Sequence, residues 1–201
     1  MKQFLILMTS FTFVLGACDS MENSPSETVD TRSTQTKIES VISEYCKANN
    51  ERTAEVIPDL LYPRLYNDSM NRKAVIEMFY NQLNATKKFE ISNLEFDKEA
   101  TLIADSLGIE VYCQKYHSEI EMVLHENTPI NMFDLLSSEA QNSDSNVEIN
   151  RENLTLKYAD KRQLMVIKEE GKCYIVPDVF FGFLKLEHLN VSEILRNFAT
   201  A

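Results

Sequence analysis

Apolar residues recur every three or four positions in the first half of this chain and every second position in much of the remainder. Thr36-Lys37-Ile38-Glu39 reads as a capping box, in which a hydroxyl and a carboxylate satisfy exposed backbone amides. Ile38, Val41, Ile42, Tyr45 and Cys46 then form one helical stripe. The segment 53–66 predicts a shorter helical piece, interrupted near Pro63 because proline bars the residue before it from the helix. Asn71 is placed to cap a further helix with Val75, Met78, Phe79 and Leu83 on one side.

From residue 89 the period becomes two. Strands are predicted over 89–96, 101–113, 118–126, 163–169 and 172–176, and the polar stretch 114–117 is read as a loop. Glu170-Gly171 separates the last two strands, where glycine takes the positive φ that a tight hairpin needs. An insertion over 127–160 holds a short helix opening at Thr128-Pro129 and running to Leu136, followed by a polar loop over 137–146. Asn190 and Glu193 cap a last helix carrying Val191, Ile194, Leu195 and Phe198. Phe180, Phe181 and Phe183 form an apolar cluster expected to pack beneath it, or else to offer a partner surface. Helices first and mostly antiparallel strands after them predict an α+β fold, with helices on one face of a curved sheet.

The amino-terminal end has a different character. Lys2 precedes an uncharged apolar run over 4–15, too short for a permanent membrane helix and of the length of a secretory signal core. Leu15-Gly16-Ala17-Cys18 resembles the lipobox of bacterial lipoproteins. That resemblance implies cleavage before Cys18, diacylglycerol on its thiol and acylation of the new amino terminus. An ordinary signal peptide with an incidental cysteine is the competing reading. Two or three fatty chains hold a protein to a bilayer firmly, since each buried methylene contributes ~0.8 kcal/mol. The expected organisation is a signal peptide over 1–17, a lipidated cysteine and flexible tether over 18–36, and one domain over 37–201. The tether is rich in Ser, Thr and acids and has too little apolar surface to offset its chain entropy. The implied address is the bacterial cell envelope, membrane-anchored outside the cytoplasm.

A formal net charge of −11, with no basic cluster to reverse it locally, excludes nucleic acid as an expected partner. Of the four cysteines, three follow Cys18, with wide spacings and no C-x-x-C. They are expected to be small buried hydrophobes, with a Cys113–Cys173 bridge as the alternative. His117 and His125 fall on polar strand positions, so neither they nor His188 suggest a metal site. No cofactor-binding motif is present, neither phosphate-cradling glycines nor a nucleophile elbow.

Two stretches resemble the NTF2-like superfamily (the cystatin-like α+β cone). One runs Leu61-Tyr62-Pro63-Arg64-Leu65-Tyr66, then Arg72-Lys73-Ala74-Val75-Ile76-Glu77-Met78-Phe79. The other is the hairpin from Met165 to Val176. The resemblance implies a sheet wrapped around a pocket that takes a small apolar ligand, or a sheet face that forms a homodimer or meets another envelope protein. Some members resembling ketosteroid isomerase place a carboxylate and tyrosines in the pocket. Here Asp105, on the apolar parity of Ile103 and Ile109, is the candidate carboxylate, with Tyr62, Tyr66 or Tyr80 as the group polarising a carbonyl; a bend or bulge at Ala104-Asp105-Ser106 that turns Asp105 to water is the competing reading. Glu110 and Tyr112 have the opposite parity and cannot join Asp105 without a register shift. The expected function is a non-catalytic binding module on a lipid anchor. The alternative is a proton-transferring isomerase or dehydratase using Asp105.

Overall fold

The sheet is organised around two long strands, β3 (Ile109–Leu124) and β5 (Thr155–Glu169), paired antiparallel from Ile109↔Glu169 to Val123↔Thr155. The computed structural model describes residues 31–63, 72–106, 108–143 and 146–177. Strands β1 (Thr86–Phe96) and β2 (Thr101–Ser106) follow each other along the free side of β3. On the far side of β5 lie β4 (Glu148–Asn150) and β6 (Lys172–Val176). Helix α1 (Thr31–Asn50), the single turn α2 (Ile57–Leu60), α3 (Arg72–Leu83) and α4 (Ile130–Ser143) complete the described elements.

Among the described residues, the helices that build core lie on one side of this curled sheet. Ile38, Ile42, Ile57, Val75 and Phe79 pack against Tyr112, Tyr116, Leu164 and Val166. At the other end of the same face, Phe133 and Leu136 of α4 pack on Leu124 and Leu156. This is the α+β arrangement expected from the sequence. The opposite face has its own small apolar cluster, in which Tyr62 joins Ile109, Val111, Ile167 and Val176. Elsewhere that outer face is charged, with Lys88 bonded to Glu121 at 3.0 Å and Lys157 to the same carboxylate at 3.7 Å.

Four expectations are corrected. Helix α1 begins at Thr31, so Thr36 lies inside it rather than capping it, and residues 31–36 belong to the helix and not to a tether. Thr34 is buried and Gln35 bonds into the sheet, tertiary contacts that extend the helix past its apolar stripe. The strand expected over 101–113 is two strands, turning at Gly108 with φ +78°. Residues 114–117, expected as a loop, are the middle of β3, because Gln114 and Tyr116 are buried on the helix side despite their polarity. Helix α4 runs on to Ser143 through a stretch expected as loop. Ser137 and Ala140 are buried on its inner side, and the Ser137 hydroxyl donates to the Phe133 carbonyl one turn back at 2.7 Å.

The Glu170-Gly171 hairpin forms as expected, with both residues at positive φ. Tyr66 and the clusters over 180–198, like Cys18 and the signal segment, lie outside the described residues.

Candidate functional site

Where β3 and β5 cross the helix-covered face, the inward row on β5 reads Leu156, Tyr158, Asp160, Arg162, Leu164, Val166. The register sets Arg162 beside Tyr116, Asp160 beside Ser118 and Tyr158 beside Ile120. Two residues apart on one strand, Asp160 and Arg162 share a face, and the Arg162 Nε–H donates to Asp160 Oδ2. Tyr116, Ser118 and Asp160 are each less than a tenth exposed. The side chains of Arg162 and Asp160 keep 21% and 11% of their surface accessible, so both halves of the pair are largely buried.

Burial shapes the chemistry of the groups around this pair. It pushes the Tyr158 phenol up to about 12, helped by the negative charges of Asp160 and Glu139 and opposed by Arg162. It pushes Tyr116 up as well, again against Arg162. Both phenols are therefore protonated hydrogen-bond donors at neutral pH. Cys46, facing Arg162 from α1, is raised to about 11 by burial, and Glu139 on α4 is raised by the same cause. For Arg162, burial favours loss of charge, but Asp160 and the two tyrosines outweigh it and hold the guanidinium above its ordinary value.

Further along the same face, Lys168 Nζ donates to Glu110 Oε1 at 2.8 Å, and the Tyr112 hydroxyl donates to Glu110 Oε2. Burial alone raises the Glu110 carboxyl; the two donors outweigh it and the net direction is down. Cys173 stands beside Lys168 and Lys37, with its thiol raised by burial.

The residues expected to carry a pocket chemistry do not converge. Asp105 is exposed. A bulge between Leu102 and Ala104 shifts the register by one, so Asp105 pairs with Glu110, on the parity opposite to that expected. Tyr62 is fully buried, but on the outer face, edge-on to Tyr174 at 5.9 Å. Tyr80 projects from α3 and is 57% exposed. Neither Cys113 nor Cys173 is in a disulfide. They sit on β3 and β6 with β5 between them, two strand spacings or roughly 10 Å across the sheet and offset by three residues along it, beyond the reach of a disulfide. His117 pairs with Asp97 at 2.6 Å, and His125 meets the Asn84 carbonyl at 3.0 Å. Among the described residues, no group of three or more His, Cys, Asp or Glu is placed to hold a metal ion.

Asp160, Arg162, Tyr158 and Tyr116 escape a reading that assigns 127–160 to an insertion and 114–117 to a loop. The signal is nonetheless present, since residues 156–166 alternate with period two once Tyr, Asp and Arg are allowed inward positions.

No protein-family model matches the chain, and no curated protein matches it. Among solved structures it is similar to an uncharacterised protein with a cystatin-like fold from Caulobacter vibrioides. The identity is 11%, the match covers 70% of this chain and 83% of the other, and the TM-score is 0.38.

Proposed function

We propose that this chain is a lipid-anchored cell-envelope protein, held to a membrane through Cys18, whose folded part is a non-catalytic binding module. The observation that carries the anchor is the sequence element itself, Leu15-Gly16-Ala17-Cys18 after a short apolar run behind one basic residue. Among the described residues, no helix is long and apolar enough to cross a membrane. A thiol carrying fatty chains supplies the attachment in this reading.

The binding half of the proposal is supported by the inner face. A proton-transferring enzyme needs an inward carboxyl group available to exchange protons with substrate. Asp105 is exposed, and the inward Asp160 is engaged by the Arg162 guanidinium. Fixed donors on a packed wall suit recognition better than proton transfer, and the ligand is a small molecule with an apolar body. The anchor is tested by detergent phase partitioning of the full chain expressed in a bacterium. Wild type enters the detergent phase and Cys18→Ala stays in the aqueous phase; identical partitioning contradicts the anchor.

A further inference from the structure

Strand β1 lies at an edge of the sheet. It pairs with β3 on one side, and among the described residues no strand pairs with its other side. Eleven residues is long for an edge, and an unpaired row of N–H and C=O groups is a template for another strand. Register shifts between Thr86 and Lys88 and between Ser92 and Glu95 disrupt the two ends of this edge. The stretch from Lys88 to Ser92 between them is regular, and there a side chain covers the backbone. Asn50 Nδ2 donates to the Ile91 carbonyl at 2.7 Å, and the Ile91 amide donates to Asn50 Oδ1 at 2.7 Å. One side-chain amide thus makes the two bonds that a residue of a neighbouring strand would make. Antiparallel pairing alternates, so the Phe89 N–H and C=O, two residues back, point to the same edge.

The corner that carries Asn50 is tied to β1 a second time. Asn50 ends α1, and just beyond it Arg52 takes φ +56°, where glycine is the usual residue. The Arg52 amide donates to the Asn49 carbonyl at 3.2 Å and the Thr53 amide to the Ala48 carbonyl at 3.0 Å, closing the helix end. Arg52 Nη2 donates to the Thr86 carbonyl at 2.8 Å, a bond that glycine could not make. We infer that Asn50 guards the β1 edge, and that the strand it keeps out is β1 of a second copy of this chain. The occupant follows from charge. In an antiparallel β1–β1 pair centred on Phe89, Lys88 of each copy stands opposite Glu90 of the other, on one face. Within one chain Lys88 holds Glu90 at 2.7 Å, so both signs lie side by side along this edge. Such a pair is isologous and closes as a dimer. In that register Ile91 exchanges its backbone bonds with Lys87 of the second copy, and Asn50 occupies both groups.

The test is the mass of the full chain by sedimentation equilibrium in density-matched detergent, with micelles in excess over protein. Wild type is expected to be monomeric, and Asn50→Ala to double that mass with an unchanged circular dichroism spectrum. Lys88→Glu added to Asn50→Ala is expected to restore the monomer, because it sets like charges opposite each other. If Asn50→Ala does not fold, Asn50→Asp, which loses the donor and keeps the acceptor, decides by the same readout. A folded variant that stays monomeric overturns the guard, as does a wild type of the same mass as the variant. A dimer that survives Lys88→Glu, or aggregates without a defined dimer, overturns the β1–β1 pairing.

Discussion

Gln35 Nε2 donates to Gln114 Oε1 at 3.0 Å, joining α1 to the centre of the sheet. The pair stands opposite the break between β1 and β2, where the edge strand leaves the ladder over residues 97–100. There Gln114 Nε2 donates to the Lys98 carbonyl at 3.1 Å, and Gln35 Oε1 accepts from the Ala100 amide at 2.7 Å. Two side-chain amides thus take up backbone groups that the interrupted strand pairing leaves behind.

Gln114 is fully buried, so Gln114→Leu strands the Lys98 carbonyl and the Gln35 amide together. The expected loss is about 2–4 kcal/mol of unfolding free energy in urea titration, against about 1 kcal/mol for Gln35→Ala. The double variant is expected to fall short of the sum, since both act on one network. Additive losses contradict the linkage.

For Asp160 and Arg162, the expectation is an asymmetry. Asp160→Ala leaves a buried guanidinium without its carboxylate and is expected to cost about 3–5 kcal/mol. Replacing both at once with Leu and Met is expected to cost far less, and to leave stability near that of the wild type. Urea midpoints compared at constant m value check this. A double variant as unstable as the single one identifies the pair as a structural tie.

Glu110 gives the stability a pH dependence of definite sign. Its carboxyl is lowered in the folded state by Lys168 and Tyr112, so its contribution is present above the unfolded value of about 4.3 and disappears as pH falls through the folded value. Glu110→Gln is therefore expected to cost about 1 kcal/mol at pH 7 and to cost less near pH 3. A penalty that does not change between these pH values shows that the Lys168 contact contributes nothing through charge.

Thiol accessibility follows the fold. Cys46 is buried, with its thiol raised to about 11, and Cys113 is buried, with its Sγ 3.3 Å from Gln163 Oε1. Cys173 is half-buried at the sheet margin. A maleimide at neutral pH is expected to label Cys173 first and Cys46 only on unfolding, as read by peptide mass mapping. Early labelling of Cys46 contradicts the packing of α1.

Much of this architecture can be read from residue periodicity. The stripe from Ile38 to Cys46 announces α1, and the alternation around Glu170-Gly171 announces the last hairpin, because in both places apolar burial and local propensity agree. Reading by apolarity fails where polar residues face inward. Gln114 and Tyr116 make the middle of β3 look like a loop, and Tyr158, Asp160 and Arg162 hide the first half of β5. Of the two readings of Asp105, inward on the apolar parity or turned to water by a bend or bulge, the structure has the second. A single bulged residue near Ile103 inverts the parity of Asp105, a shift that alternation alone does not locate. The candidate site was illegible for the same cause that makes it a candidate: its charges occupy positions that packing alone would fill with aliphatic side chains.

Intact-mass and amino-terminal peptide analysis of the mature chain isolated from bacterial membranes tests the central claim most directly. The account predicts a first residue Cys18 bearing diacylglycerol on sulfur and a fatty acyl group on nitrogen. An unmodified cysteine at that position, or a chain starting at any other residue, contradicts it.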